Sequence, residues 1–223
     1  MVQSLTYEII NLGETDSLLN QYMAQIRDRS VQKDSLRFRN NLVRIGEIFA
    51  YELSKTLSYT TIEVETPLGI APVSVPETPL VLGAILRAGL PVHQGLLNCF
   101  DHAENCFVAA YRKYGKGNEC DMQIEYQSCP PLEGKTLVIA DAMIASGASM
   151  ILTYQSLVAN GEPSHTHIVC PVASRDGVQL LSKNLPHKRV TLWVGAIDEE
   201  LTNHSFIVPG LGDAGDLAFG EKK

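Results

Sequence analysis

The stretch TLVIADAMIASGASM, Thr136 to Met150, decides how this 223-residue chain is read. Its first five residues form an unbroken apolar run of the kind that fills a strand buried on both faces. An acid, Asp141, then stands where the run ends. After Ala142, Met143 and Ile144 come residues with almost no side chain: Ala145, Ser146, Gly147, Ala148 and Ser149. From Ala148 the sequence ASMILTYQSLVANG shows helical spacing, with Gly161 placed to close the helix. A buried carboxylate is costly unless it finds partners, and ribose hydroxyls would supply them. The small residues behind it let a phosphate approach bare amides, with Ser146 and Ser149 adding hydroxyl donors. The structural alternative is a small-residue turn tucked under a neighbouring helix.

Outward from this stretch the chain alternates. LVLGAIL (Leu80–Leu86), NCFVAAY (Asn105–Tyr111), THIVCPVAS (Thr166–Ser174) and RVTLWVGAI (Arg189–Ile197) read as strands. AGLPVHQGLLNCF and RDGVQLLSKNL read as helices, and the polar run from Arg112 to Pro131 as a hairpin arm. Apolar strands alternating with short helices predict an α/β fold, a mostly parallel sheet flanked by helices. Toward the N-terminus, Thr15 or Asp16 is placed to cap a helix bearing Leu18, Leu19, Tyr22, Met23 and Ile26. A second helix is expected from about Lys33 to Leu57, with Leu42, Ile45, Phe49 and Leu53 inward. Its other face (Arg37, Arg39, Arg44, Glu47, Glu52) reads as solvated surface. Pro67, Pro72, Pro76 and Pro79 exclude a central strand over residues 58–79, leaving an irregular or edge-strand segment. The expected organisation is one domain, 1–223. Within it, 1–79 is an N-terminal helical hood, and 80–223 holds the α/β core and a C-terminal loop.

A formal charge of −7 argues against nucleic acid or an anionic membrane as partner, because such surfaces require clustered Lys and Arg. No basic-then-apolar leader and no long apolar run occur, so neither a signal peptide nor a membrane span is expected. Five cysteines with no CxxC pair fit a reducing, cytoplasmic setting, and no protein-built metal site is expected.

Ligands of open parallel sheets collect at the carboxyl ends of the strands, where Asp141 stands. The loop lacks the lysine of GxxxxGK[ST], which excludes a nucleoside-triphosphate P-loop. GLGDAG, Gly210 to Gly215, matches GxGxxG, but Val208-Pro209 precedes it and only eight residues follow Gly215. A dinucleotide fold needs a strand before it, a helix after it and an acid about 20 residues on. The glycines instead describe a tight loop able to hydrogen-bond a flat polar ligand, with Asp213 and Asp216 nearby. Arg87 and Arg112, each closing a strand, are candidate bidentate clamps for diphosphate, Arg112 with Lys113 and Lys116 beside it. His165 and His167 share a strand face without a third ligand and read as structural.

Together these segments resemble the uracil phosphoribosyltransferases from about residue 15 to residue 220. The motifs that carry the resemblance are AILRAGLP, AYRKY, IADAMIASGAS and, above all, GAIDEELTNHSFIVPGLGDAGDLAFG. It implies a type I phosphoribosyltransferase fold and transfer of 5-phosphoribose from 5-phospho-α-D-ribose 1-diphosphate (PRPP) to uracil, giving UMP and diphosphate. Mg²⁺ would arrive bound to PRPP. By motif, Arg87 and Arg112 would meet the diphosphate, and Asp141 through Ser149 the ribose and 5-phosphate. Ile207, Gly212, Asp213 and Ala214 would form the uracil site, with main-chain contacts from Ile207, Gly212 and Ala214. Asp213 would also face PRPP, which makes Asp141 and Asp213 the carboxylates nearest the chemistry. A homodimer or higher homo-oligomer is implied, in line with the polar arm and the apolar helix faces. GTP is an effector of some relatives, and no motif here signals it.

The family loop usually reads D-P-M-L-A-T-G-G-[ST]. Here Ala142, Ile144, Ser146 and Ala148 replace Pro, Leu, Thr and Gly, and Phe206 stands where Tyr is frequent. A Cβ at 148 strains only a left-handed backbone, and the helical pattern starting there predicts negative φ. A second reading stands beside the active transferase: a weakly active relative that senses PRPP or uracil, or regulates pyrimidine genes through RNA. The net charge of −7 speaks against RNA binding.

Overall fold

The computed structural model of the chain describes residues 8–114 and 120–221, with side chains over those spans except at 110–122. The chain begins with β1 (Glu8–Asn11), α1 (Leu18–Arg27) and α2 (Ser35–Ser54), followed by β2 (Tyr59–Thr66) and β3 (Gly69–Pro76). The alternating part runs β4 (Leu80–Leu86), α3 (Leu90–Cys99), β5 (Glu104–Tyr114), β6 (Cys120–Ser128) and β7 (Thr136–Ala140). It continues with β8 (Met143–Ile144), α4 (Ala148–Val158), β9 (His165–Ser174), α5 (Arg175–Asn184) and β10 (Val190–Asp198). The last elements are β11 (Glu200–Leu201), β12 (Ile207–Val208) and α6 (Ala214–Phe219).

The main sheet has the order β1-β10-β9-β7-β4-β5-β6, with β8 beside β9. Every pairing in it is parallel except β5 with β6. β7 lies between β4 and β9 with all five residues buried, as its unbroken apolar run requires. Two apolar layers sandwich the sheet. On one face Leu19, Phe38, Leu42, Val92, Leu96 and Ala218 from α1, α2, α3 and α6 meet Leu82, Val138 and Trp193. On the other, Met150, Leu157, Val178 and Leu181 from α4 and α5 meet Ile85, Ile139 and Ile168.

Several expectations are corrected. Ser17, not Thr15 or Asp16, caps α1, its hydroxyl accepting from the Leu19 amide while Asn20 reaches back to the Ser17 amide. α2 is shorter than expected, starting behind the Asp34 cap and ending at Ser54. Of the two readings for residues 58–79 the edge-strand one holds: β2 and β3 pair along eight residues as a separate two-stranded ribbon. Both its strands are edges, which is how Pro72 and Pro76 are tolerated. The edge strand β1 was not anticipated. α4 ends at Val158 under an Ala159 cap, and Gly161, at φ +119°, lies two residues further on, where a Cβ would stand 2.8 Å from the Glu133 amide nitrogen. The GLGDAG loop does have a strand before it and a helix after it, β12 and α6. They are only 2 and 6 residues long, and β12 pairs with β11 outside the main sheet.

Candidate active site

Asp141 follows β7 directly, and its amide donates to the Val169 carbonyl of β9 (3.2 Å), so the acid ends the strand at the carboxyl edge of the sheet. Its Oδ1 accepts from the Ala142 amide at 2.7 Å. A proline at 142 would have no N–H to give. Burial pushes the Asp141 carboxyl up to about 7, and the amides of Ala142 and Met143 pull the other way. The acid therefore titrates in the neutral range and is held in place to meet hydroxyl donors.

Beyond it, Met143, Ile144, Ala145, Ser146, Gly147, Ser149 and Met150 wall a concavity of about 80 Å³ together with Asp141. Gly147 turns left-handed (φ +84°) and caps α4, so the helix starts at Ala148 with ordinary negative φ, as its pattern predicted. The loop is tightly braced from α5. A Cβ on Gly177 would stand 2.4 Å from the Ala145 carbonyl oxygen, and Ser174 Oγ donates to that same carbonyl at 2.5 Å. The first amides of a helix lack intrahelical acceptors. At α4 the Ala148 amide donates to Ser146 Oγ (3.5 Å), and Gly147, Ser149 and Met150 at the helix start lie in the wall of this concavity.

The Arg87 loop abuts this edge: a Cβ on Gly89 would lie 2.4 Å from the Ala140 carbonyl oxygen, one residue before Asp141. Arg87 itself is not a free clamp. Its Nη2 donates to Asp216 Oδ1 at 3.0 Å, while its Nε is buried with no protein partner. The same Nη2 lies 3.6 Å from the Cβ position of Gly215, so Arg87 bridges the Asp141 edge and the GLGDAG loop. Asp213 caps α6, its Oδ1 accepting from the Asp216 amide (2.9 Å). Ile207 and Ala214 are buried, whereas Gly212 (φ +90°) and Asp213 are exposed. Arg112 occupies β5 opposite Met122 in β6. Its side chain and that of Lys113 lie outside the described side chains, and Lys116 lies outside the described residues.

Sequence reasoning missed the groups that hold this loop. Arg27 forks onto both oxygens of Asp198 (2.8 and 3.0 Å) and donates to the Gly210 carbonyl. Arg39, assigned to a solvated face, instead donates to the Ala218 carbonyl at 2.6 Å, and Arg44 reaches Asn41 Oδ1 and the Tyr22 ring. A signal was present: Asp198 ends the buried strand VTLWVGAI as Asp141 ends TLVIA. The same question about a carboxylate at a strand tip would have found it.

A larger cavity, about 570 Å³, lies at the opposite, amino-terminal end of the strands, with Glu8, Glu77, His165, His167, Thr191 and Trp193 in its wall. Its charged lining is acidic, which suits neither phosphate nor diphosphate. Trp193 Nε1–H donates to His167 Nδ1 (3.1 Å), and burial, with His165 beside it, holds His167 down to about 3. His165 Nε2 contacts Thr191 Oγ1 (2.9 Å), so both histidines are bound into the fold. Among the described residues no cluster of His, Cys, Asp and Glu is arranged to hold a metal ion, and no helix is long and apolar enough to cross a membrane.

Comparisons with known proteins agree on the family. A family model described as "Uracil phosphoribosyltransferase" matches residues 14–221. A uracil phosphoribosyltransferase of Porphyromonas gingivalis is 49% identical over 215 residues, covering 96% of this chain and 99% of that protein. One of Sulfolobus acidocaldarius is 36% identical over 213 residues, covering 91% and 96%. Among solved structures, the AQ2163 protein of Aquifex aeolicus superposes with a TM-score of 0.83 at 27% identity, over 95% of this chain and 98% of that one. A hypoxanthine phosphoribosyltransferase of Staphylococcus aureus shares the fold, with a TM-score of 0.50 at 16% identity over 73% of this chain and 76% of its own.

Proposed function

The chain belongs to the uracil phosphoribosyltransferase family, and from that premise we propose the site at which it joins uracil to PRPP. It is a pentosyltransferase with a type I phosphoribosyltransferase fold, and the sensor reading is not favoured. The observation that carries the site is the meeting of three loops at one edge of the sheet: Asp141–Ser149, the Arg87 loop and the Asp213–Asp216 turn.

In this reading the 5-phosphate of PRPP lies on the amides of Ala145 through Ser149, with Ser146 and Ser149 hydroxyls added. The Asp141 carboxylate accepts from the ribose diol. Arg87, with Arg112 as second clamp, holds the diphosphate, exchanging its contact with Asp216 for a phosphate oxygen. Uracil is held by main-chain groups of Ile207, Gly212 and Ala214. Mg²⁺ prefers oxygen ligands, commonly one or two carboxylates plus substrate phosphates, and Asp141 and Asp213 fit that donor set. When bound with PRPP it would neutralise charge on the departing diphosphate. The anomeric carbon loses its bond to diphosphate oxygen and gains one to uracil N1 through an oxocarbenium-like state, while the N1 proton passes to solvent or to the departing diphosphate. Positioning and charge stabilisation then supply most of the rate, with no dedicated general base.

The whole chain is read as one domain, because α1, α2 and α6 share an apolar core with the sheet. A cytoplasmic setting fits the free thiols of Cys99, Cys106, Cys129 and Cys170. A second copy of the chain is the proposed partner of the β2–β3 ribbon. That ribbon exposes Ile62, Val64, Leu68, Ile70 and Val73, and an isolated two-stranded hairpin is marginal in water. GTP activation, known in some relatives, is tested by adding it to the assay. That assay measures UMP formation from uracil and PRPP with Mg²⁺, beside cytosine, hypoxanthine and adenine. Uracil alone should be converted, and turnover with another base but not uracil would overturn the reading.

A further inference from the structure

The base-recognition loop is not self-supporting. Gly210 takes a left-handed backbone (φ +55°), and a Cβ there would lie 2.2 Å from the Ile207 carbonyl oxygen. Both of its backbone groups are bound by one ion pair. Its N–H donates to Asp198 Oδ2 (2.9 Å), and its carbonyl accepts from Arg27 Nη1 (3.1 Å). The pair is shielded, with 9% of the Asp198 side chain and 23% of the Arg27 side chain exposed. The next carbonyl, of Leu211, accepts from Gln32 Nε2 (3.0 Å), and that nitrogen also donates to the Ile26 carbonyl (2.8 Å). Two consecutive carbonyls are thus tied to the end of α1 and the turn after it. Gly212 follows at once, exposed, with open space where a Cβ would stand.

We propose that Arg27, Asp198 and Gln32 are positioning residues for uracil, fixing the backbone of residues 210–211 so that the main chain of residues 212–214 is aimed before the base arrives. The inference rests on the assignment of residues 207–214 to uracil. A loop with glycine at 210, 212 and 215 has much conformational freedom to lose, and ordering it on binding would weaken affinity for the base. Arginine is required at 27 because its planar fork spans both carboxylate oxygens and still reaches a carbonyl. A lysine ammonium is a point charge that cannot serve all three in this geometry. Among the described residues none of these side chains hydrogen-bonds the Asp141–Ser149 loop, so the main effect falls on uracil, and PRPP feels it only through Asp213 and the Arg87–Asp216 contact.

The test uses the full chain with the substitutions Arg27→Lys and Gln32→Ala. It combines steady-state kinetics for each substrate with amide hydrogen exchange. Arg27→Lys should raise KM for uracil about tenfold or more and leave KM for PRPP within about twofold, with most of kcat retained at saturating uracil. Gln32→Ala, which leaves no unpaired charge, should raise uracil KM about threefold. Amides of residues 207–214 should exchange faster in both variants, and those of residues 137–150 should not change. Loss of purely structural stability would lower the active fraction without separating the two KM values. The proposal is overturned if folded variants keep wild-type uracil KM, or if both KM values rise together. If Arg27→Lys does not fold, Gln32→Ala decides alone. Failure of the unmodified protein to convert uracil removes the base assignment and the proposal with it, and is read before any variant is made.

Discussion

The two loops that meet at the edge of the sheet are built in opposite ways. Residues 141–149 are braced by close backbone packing and by a hydroxyl 29 positions away, Ser174 on the Ala145 carbonyl. Residues 207–216 are held in part across nearly the whole chain: Asp198, 12 positions from Gly210, is gripped by Arg27, which stands 171 positions from Asp198 and 183 from Gly210. Phosphate is a compact anion that backbone amides at a helix start recognise, so a strand, a turn and a helix suffice. In the proposed site the flat base would be met by residues 210–212, between β12 and α6, whose backbone is fixed by side chains outside the loop.

That division can be broken first at Asp141. Asp141→Asn should lower kcat/KM for PRPP about 10- to 150-fold, the equivalent of about 1.5–3 kcal/mol for a hydrogen bond to a charged group. Wild-type kinetics under the same conditions give the comparison, and near-normal activity would remove Asp141 from the ribose site. Gly147→Ala comes next. The left-handed backbone and the Gly177 carbonyl oxygen 3.0 Å from the new Cβ should cost about 1–2 kcal/mol of stability, read by denaturant titration. PRPP binding should weaken while uracil KM holds. A uracil defect alone would mean the loops are not independent.

The pH dependence follows from the raised Asp141 carboxyl. Its folded value of about 7 exceeds the ordinary 3.8, so the folded state favours the protonated acid. The stability this confers is full below 3.8 and is lost as pH rises toward about 7. Asp141→Asn should therefore gain more in Tm over wild type at about pH 8 than at about pH 5. Conversely, kcat/KM for PRPP in the wild type should rise with pH through neutrality, as the carboxylate forms that accepts from ribose. The smallest effect belongs to Ala148→Gly. In the first turn of α4 it should cost about 0.5–1 kcal/mol of stability with no kinetic gain, and a faster enzyme of unchanged Tm would contradict the geometry at Gly147.

The asymmetry between the loops also governs what the sequence discloses. TLVIA, the acid at its tip and the helix from Ala148 form a contiguous pattern with a local physical meaning, and each lands in the fold as read. The start of α1 was misread because Thr15, Asp16 and Ser17 are all acceptable caps, and only the Asn20 reciprocal bond selects Ser17. Four residues, EIIN, are too few to announce an edge strand, and β1 exists because β10 offers it a ladder. Arg87 was legible as a strand-end cation but not as the partner of Asp216, 129 positions away. Arg27 at a helix end looks like any surface arginine until Asp198 is brought beside it. What stayed hidden was every contact whose meaning depends on two distant stretches at once.

The long span between Arg27 and its targets has a consequence for biogenesis. Synthesis proceeds from the N-terminus, so α1 and α2 emerge first, and Arg27, Gln32 and Arg39 precede by far their distant partners Asp198, Gly210, Leu211 and Ala218. Pairings of such separation form late, because chain closure over long loops must precede them. The strands of the main sheet and the α4–α5 layer are all synthesised by the end of β10, whereas the other apolar layer still lacks Ile207, Leu211, Ala214 and Ala218. In the proposed site, most of the residues that would hold the phosphorylated sugar, from Arg87 to Ser149, are thus synthesised before the 207–214 loop that would select the base, and the contacts that shape that loop are the last to close.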